Sequence, residues 1–206
     1  MKPTSDNNVH HIDERRLRDA PVFPVFLKLI GKRVLVVGAG NMAEEKLPAL
    51  LEAGAYVDIV APEHRFQLAH PRLRWFHREF VPSDLDGSAY VVAAATPDVN
   101  RHVATECEER QIFVNAVDDR RVATAYLGAV VRRSGLTLAI SSNGAAPALV
   151  ALLRQGLEEL LPDELDDWVS EAEKLRPGWK RLKLPFALRR PALLRVLNKL
   201  YDRSVA

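Results

Sequence analysis

Short runs of consecutive apolar residues alternate with amphipathic stretches over the first two thirds of the chain. Continuous apolar runs rich in β-branched residues are typical of strands buried in a parallel sheet. The predicted strands are residues 32–37, 56–61, 72–76, 89–95, 112–117 and 136–141. Helices are predicted at residues 41–53 and 100–110, although Pro48 should kink the first of them and its role is unexplained. The alternation predicts an α/β fold of the Rossmann type, with a doubly wound parallel sheet.

The hydrophobic pattern changes beyond Pro147. Leucines then recur at helical spacing, at positions 149, 152, 153, 157, 160 and 161, and no strand signal follows. This change predicts a small helical C-terminal domain, which we place at residues 151–206. The polar first 20 residues are predicted to form a mobile tail.

Composition restricts the class of protein. The 206 residues are 48% hydrophobic and 27% charged, as in globular proteins with a buried core. No apolar run reaches the roughly 18 residues of a membrane span, and the N-terminus lacks the apolar region of a secretory signal. The single cysteine, Cys107, excludes an internal disulfide and a CxxC metal site. We therefore predict a cytoplasmic protein without membrane contact and without metal ligands of its own.

The net charge of +2 conceals a segregation of charge near the C-terminus. Residues 157–173 contain eight acids and no base, whereas residues 174–206 contain ten Lys or Arg and one acid, Asp202. Solvated helix faces that partly neutralise each other account for most of these charges. A basic surface for nucleic acid or for a polycarboxylate ligand is the alternative.

A glycine-rich loop follows the first predicted strand. Gly38, Gly40 and Ala43 occur in the order G-x-G-x-x-A, directly after a strand and at the start of a helix. Gly38 would permit the tight turn, Gly40 would let a pyrophosphate approach the backbone, and Ala43 would allow close helix packing. Free N–H groups at the helix start would face the phosphates. The context favours a dinucleotide over a turn that binds no phosphate.

The acidic residue that normally binds the ribose at the end of the second strand is not obvious. Asp58 lies within that strand, and Glu63 lies just beyond it. Because no arginine replaces the acid at the strand end, NAD is favoured over NADP, although His64 and Arg65 leave that choice open.

Five segments together resemble the N-terminal module of siroheme synthase, the precorrin-2 dehydrogenase/sirohydrochlorin ferrochelatase family. They are FPVFLKLIGKRVLVVGAGNMAEEK, LLEAGAYVDIVAPE, VVAAATPDVN, FVNAVDD and LTLAISSNGAAPAL, in the family's order from about Phe23 to Leu161. The resemblance implies NAD-dependent oxidation of precorrin-2 to sirohydrochlorin, often followed by insertion of Fe²⁺ as a substrate metal, with Co²⁺ possible. It also implies a homodimer, with residues 21–118 as the NAD-binding domain and residues 119–150 as a dimerisation segment.

The resemblance also suggests roles for individual residues. Asp118 corresponds to an aspartate proposed as general base and metal-insertion residue, and Ser142 to a serine associated with the tetrapyrrole. The nucleotide-contacting set is Gly38, Ala39, Gly40, Asn41, Met42, Pro62, Glu63 and Thr96. The substrate carries eight carboxylates, so we add Arg120, Arg121 and Asn115 as substrate-binding candidates, with Arg132 and Arg133 as further basic residues.

The position of Asp118 at the end of a strand also indicates a ligand site. Asp118 follows a predicted core strand, and open parallel sheets bind ligands beyond the carboxyl ends of their strands. A carboxylate beside an apolar wall can serve as a base, whereas Asp119 is equally explained by a cap or an ion pair with Arg120 or Arg121. For Ser142, a helix cap without a ligand remains open.

Two other functions remain open. The chain could be a dehydrogenase alone, with a separate chelatase. It could also be a non-enzymatic regulatory module that senses NAD and contacts a partner through its helical part, which leaves the segments FVNAVDD and SSNG without a purpose.

Overall fold

The structure, a computed structural model, describes residues 21–204. The predicted N-terminal tail lies outside the described residues. Contacts along the chain define two units, the first ending at Phe113 and the second beginning at Val114.

A five-stranded sheet forms the core of the fold. Its strands are β1 (Arg33–Val37), β2 (Tyr56–Val60), β3 (Leu73–Phe76), β4 (Ser88–Ala93) and β5 (Val114–Ala116), and their order is β3-β2-β1-β4-β5. The central strand β1 pairs in parallel with both β2 and β4, and β2 pairs in parallel with β3. This order is that of a Rossmann sheet, as the alternation of apolar runs predicted.

The apolar runs are buried because both faces of the sheet are covered. In β1, Val34, Leu35 and Val36 are fully buried, and Val91 and Val92 of β4 are equally inaccessible. A helix, α3 (Pro97–Glu109), follows β4 and buries Val103, Ala104 and Cys107. The core of the first unit is therefore closed around its central strands.

The helix predicted after the glycine loop is two short helices, so that prediction was wrong. They are α1 (Asn41–Glu44) and α2 (Leu47–Glu52). Pro48 lies in the first turn of α2, where its missing N–H and fixed φ are tolerated. The break between the helices therefore removes the hydrogen bond that Pro48 could not have donated.

The second unit contains an antiparallel hairpin that the sequence did not predict. Strands β6 (Ala129–Arg133) and β7 (Leu136–Ile140) form a separate two-stranded sheet, so the segment predicted at 136–141 does not join the parallel sheet. Ser134 and Gly135 form the connecting turn with φ of 56° and 76°. Two consecutive positive φ angles suit a tight two-residue hairpin turn, and the Ser-Gly pair was the missed signal.

Three helices follow the hairpin, and the leucines at helical spacing lie in and directly after the first of them. They are α4 (Pro147–Leu160), α5 (Leu165–Arg181) and α6 (Phe186–Ser204). Arg133 of β6 joins the hairpin to the end of α4, because it donates to the Leu161 carbonyl (2.9 Å) and to Asp163 (2.7 Å). Within residues 21–204, no helix has the length and apolar character to cross a membrane.

Candidate functional site

Three loops meet at the carboxyl edge of the parallel sheet. The ends of the strands are level, because Val37 of β1 pairs with Val60 of β2 and with Ala93 of β4. The loops remain joined beyond the strands: the Gly38 N–H donates to the Val60 carbonyl (2.9 Å), and the Ala94 N–H donates to that of Val37 (2.8 Å). The structure thus brings the glycine loop, Pro62–Glu63 and Thr96 to one edge of the first unit.

The two glycines of the loop differ in backbone conformation and in the space available for a side chain. Gly38 has φ of 103°, and a Cβ there would lie 2.3 Å from the Ala94 carbonyl oxygen. Gly40 has an extended backbone, and a Cβ there would meet nothing within 4 Å. Gly38 is therefore required by the fold itself, whereas the open space beside Gly40 leaves its backbone accessible to a ligand.

The start of α1 offers free backbone donors beside that open space. The Ala43 and Glu44 N–H groups donate to the Gly40 carbonyl, but those of Asn41 and Met42 have no acceptor within the described chain. Because α1 is a single turn, its dipole is small and these N–H groups themselves would bind an anion. The loop therefore fits the pyrophosphate of a dinucleotide.

The segment after β2 is held against the glycine loop. The Arg65 N–H donates to the Ala39 carbonyl (3.2 Å), while Pro62 and Glu63 themselves are exposed. Ala39 is buried, so its contribution to a ligand site would come from its backbone. Glu63 is thus at the position where an acid could bind ribose hydroxyls.

Asp58, the other acid of this region, stabilises the fold through ion pairs of its buried carboxylate. Its side chain is 1% exposed and accepts hydrogen bonds from Arg33 Nε (2.7 Å) and from Arg74 Nε and Nη2 (2.8 Å each). Burial alone would raise the pKa of Asp58, but the two guanidinium groups outweigh burial and hold the pKa below its usual value. Asp58 is therefore fully engaged away from the glycine loop.

A hydrogen bond from the loop after β4 to a buried side chain of α3 holds this loop in place. Asn100 is buried, and its Oδ1 accepts from the Ala95 N–H (2.9 Å). Thr96, at the N-cap of α3, is exposed and its hydroxyl makes no capping hydrogen bond. Thr96 thus lies at the same edge of the sheet as the glycine loop, and its hydroxyl does not cap the helix.

In the second unit, the two adjacent carboxylates after β5 have different environments. Asp119 accepts from the Arg121 backbone N–H (3.1 Å) and from its guanidinium (3.0 and 3.1 Å). Asp118 is exposed, and within the described residues its carboxylate has no hydrogen bond or ion pair. The ion pair expected for Asp119 is confirmed with Arg121, and Asp118 is the carboxylate left available.

The backbone at Asp118 is also unusual. Its φ is 62°, a left-handed conformation that Asp and Asn tolerate better than most residues. The side chain of Asp118 is exposed, so the described part of the chain leaves this carboxylate accessible to solvent. Its neighbour Asn115 is buried and donates its amide to the Ala125 carbonyl (3.0 Å), so one of its two amide hydrogens serves the fold.

The predicted basic and serine residues lie together in the second unit. Ser142 Oγ accepts from the Ala146 N–H (2.9 Å), and Gly144 has φ of 72°. The Arg120 side chain lies directly over Gly144, since a Cβ on that glycine would be 2.8 Å from Arg120 Cδ. Sequence reasoning named Arg120 and Ser142 separately but missed this contact, for which Gly144 was the signal.

Two of the other three predicted arginines form ion pairs. Arg121 is paired with Asp119 and Arg133 with Asp163, whereas Arg132 is exposed. Among the side chains of residues 21–198, no group of three or more His, Cys, Asp or Glu is arranged to hold a metal ion.

A parallel sheet in this strand order, with a glycine loop after its first strand, defines a Rossmann-type nucleotide-binding protein. The family described as "Putative NAD(P)-binding" matches residues 25–129, just over half of the chain. The family described as "Sirohaem biosynthesis protein central" matches residues 133–160.

Curated relatives give the same assignment. Siroheme synthase of Photorhabdus laumondii is 38% identical over 191 residues, which cover 89% of this chain and 40% of the relative. Siroheme synthase 3 of Aeromonas hydrophila is 41% identical over 169 residues, covering 80% of this chain and 36% of the relative. The chain spans about two fifths of the length of these relatives.

A solved structure, "SirC, precorrin-2 dehydrogenase", has the same fold. It matches with a TM-score of 0.64 and 23% identity, over 85% of this chain and 89% of that one. The chain belongs to the siroheme synthase family, of which it forms an NAD(P)-binding module. The resemblance found in the sequence is thereby confirmed.

Proposed function

We propose that this chain oxidises precorrin-2 to sirohydrochlorin with NAD⁺ in the biosynthesis of siroheme. The observation that supports this most strongly is the glycine loop, with open space beside Gly40 and free N–H groups on Asn41 and Met42. The family membership and the name of the solved neighbour support the choice of reaction.

The nucleotide would be held at the carboxyl edge of the first unit. The N–H groups of Asn41 and Met42 would bind the pyrophosphate, and Glu63 would accept hydrogen bonds from the ribose hydroxyls. An exposed acid at that place would repel the additional phosphate of NADP, so NAD is the proposed cofactor. When bound, NAD⁺ accepts the hydride removed from the tetrapyrrole.

Asp118 is the proposed proton acceptor. Dehydrogenation removes one hydride and one proton from the substrate, and the proton needs a base within hydrogen-bonding reach. Asp118 suits this role because its carboxylate is accessible and is not neutralised by an arginine, unlike that of Asp119. Since the Asp118 side chain is exposed in this chain, the bound macrocycle itself would supply the desolvation that makes a carboxylate a stronger base.

The substrate's carboxylates would bind to the second unit near Arg120. This side chain lies over Gly144 beside the Ser142 turn, so a guanidinium and a loop with hydroxyl and backbone donors are adjacent. Guanidinium groups bind carboxylates bidentately. Arg121 and Asn115 are proposed as further contacts, although each already has an intramolecular partner.

Insertion of Fe²⁺ into sirohydrochlorin is the proposed second activity, with Fe²⁺ as substrate and Co²⁺ as an alternative. Chelation releases two pyrrole N–H protons, and the same unpaired Asp118 could accept them one at a time, passing the first to solvent before it accepts the second. The pyrrole nitrogens would supply the metal ligands. We also propose a homodimer, because α4 exposes Leu149, Leu152 and Leu160 along its surface. The proposed location of the chain is the cytoplasm.

The test is an anaerobic absorbance assay with enzymatically made precorrin-2. With NAD⁺, NADH and sirohydrochlorin should appear together, and NADP⁺ should be a poorer acceptor. Added Fe²⁺ should then give a faster spectral change with protein than without it. NADH formation with no acceleration of iron insertion would leave a dehydrogenase alone, and nucleotide binding without any turnover would favour a regulatory module.

A further inference from the structure

A pocket lies at the amino-terminal edge of the first unit. It has a volume of about 380 Å³ and is lined by Arg33, Arg72, Arg74, Tyr56, Pro71 and Gly31. Arg33 begins β1, Tyr56 begins β2 and Arg74 lies in β3, so the pocket lies where the parallel strands start.

This pocket is separate from the nucleotide loop. Gly38 follows Arg33 by five residues of β1, which is roughly 16 Å at the rise of an extended strand. The two places therefore lie at opposite ends of the same strand, and neither Gly38 nor Glu63 contributes to the arginine pocket.

The pocket carries an excess of positive charge. Three guanidinium groups line it, and Asp58 is the carboxylate that pairs with two of them, Arg33 and Arg74. Arg72 donates from Nη2 to the Leu51 carbonyl (2.7 Å), and its buried Nε has no hydrogen-bond partner in the described chain. Two positive charges thus remain unbalanced around one cavity.

Asp58 also fixes the two arginines that it binds. It accepts from Nε of Arg33 (2.7 Å) and from Nε and Nη2 of Arg74 (2.8 Å each). Nη1 of Arg33 donates to the Asp86 carbonyl (2.5 Å) and to Ser88 Oγ (3.1 Å). Within the described residues, Arg33 Nη2 and Arg74 Nη1 are left as donors on side chains whose positions are already set.

We propose that this pocket binds a tetrahedral dianion of the phosphate or sulfate class, either free or as the terminal group of a small molecule. Arginine forks match the oxygen geometry of such anions, and pre-positioned side chains lower the entropic cost of binding. Tyr56 and Pro71 provide an apolar side for any molecule that carries the anion. The proposal does not rest on the dehydrogenase function.

Isothermal titration of the purified chain at constant ionic strength tests this site, with inorganic phosphate, inorganic sulfate and ribose 5-phosphate as probes. Arg72→Gln should weaken binding about tenfold, the loss expected for one charge-assisted hydrogen bond. Arg101→Gln removes an equal charge from α3, where Arg101 pairs with Asp98, and should bind like the wild type. Tighter binding of ribose 5-phosphate would indicate a carried group, and equal binding a free anion.

Three results would overturn the proposal: no saturable binding of any probe in the millimolar range, equal weakening by both substitutions, or saturable binding that neither substitution changes. Equal weakening would mean that general positive charge binds the probe, and unchanged binding would mean that another place, such as the glycine loop, binds it. Circular dichroism checks that Arg72→Gln is folded. If it is not, Arg74→Gln replaces it, because Asp58 then retains Arg33 as a partner.

Discussion

The two units of the chain differ in how completely they bury their apolar side chains. In the first unit, the central strands bury Val34, Leu35 and Ile59 completely, and the loops that would bind a nucleotide begin directly at these strand ends. In the second unit, buried apolar residues are few, and helices expose large side chains, with Leu160 78% and Phe186 83% accessible.

This difference indicates what holds the site residues of each unit in position. A nucleotide site on the ends of buried parallel strands is positioned by the core of its own unit. The second unit displays apolar area of a kind that usually marks a binding surface. We infer that its stability and its site depend on something outside the unit, a second copy or the substrate, whereas the strands of the first unit are buried within that unit, although its residues Phe23, Phe26 and Ile30 are also exposed.

The largest effect is expected from Gly38→Val. The substituted side chain would need φ of 103° and would overlap the Ala94 carbonyl, so the first unit should lose more than about 4 kcal/mol of stability or fail to fold. Thermal denaturation measures this. The matched change Gly40→Ala should alter stability by less than about 0.5 kcal/mol yet weaken NAD binding about tenfold, because it fills only the ligand space. Equal effects of the two would refute their separate roles.

Asp58→Asn should destabilise the first unit by about 3 kcal/mol, because Arg33 and Arg74 lose a buried partner. Urea unfolding followed by tryptophan fluorescence gives the value. A control is Asp98→Asn, which breaks an exposed pair on α3 and should change stability little.

Acid should destabilise the first unit by protonating Asp58 and Asp84. Hydrogen bonds from Arg78 hold the pKa of Asp84 below its usual value against the effect of burial, and the pKa of Asp58 is also lowered. Both contributions are complete above the unfolded pKa of about 3.9 and are lost as pH falls through the folded values. Stability curves between pH 7 and pH 2 should therefore fall less steeply for Asp58→Asn than for the wild type.

Leu152→Glu addresses the second unit's dependence on a partner. Leu152 is 64% exposed on α4, so a charge there should weaken a dimer about tenfold or more without unfolding the first unit. Sedimentation velocity measures the change. Gln155→Glu adds the same charge to an exposed position of the same helix and serves as the control. A monomeric wild type would contradict the inference.

The smallest effect concerns Cys107. Burial in α3 raises the pKa of its thiol to about 11, with the nearby Arg110 opposing this slightly. Alkylation by iodoacetamide at pH 8 should therefore be slow in the folded chain and fast in urea. The thiol's contribution to stability is complete below its unfolded pKa of about 8.5 and is lost as pH rises towards 11. Rapid native alkylation would mean that the first unit opens easily.

The difference in burial between the two units also determined which elements could be predicted from the sequence. Strands β1 and β4 contain continuous apolar runs and β2 is apolar apart from Asp58, because these strands are buried on both faces, and the Gly38–Gly40 loop has a strict spacing. These local signals were sufficient for the sheet and for the glycine loop. Pro48 indicated a break whose position the apolar pattern alone could not give.

Elsewhere the determining contacts are distant in sequence. The hairpin of β6 and β7 was missed because β6 is only partly buried and has a weak pattern. The pairing of Asp58 with Arg33 and Arg74, and the placement of Arg120 over Gly144, join residues 16 to 25 positions apart. Such contacts depend on the fold, which local periodicity does not contain.

The most direct test of the central claim compares the two neighbouring carboxylates in the precorrin-2 assay. Asp118→Asn keeps the shape and the tolerance of a positive φ, so it should remain folded while the rate of NADH formation falls about 100-fold or more. Asp119→Asn, which disturbs only a surface pair with Arg121, should change the rate by less than about threefold. Equal rates for wild type and Asp118→Asn would contradict the assignment of Asp118 as the base.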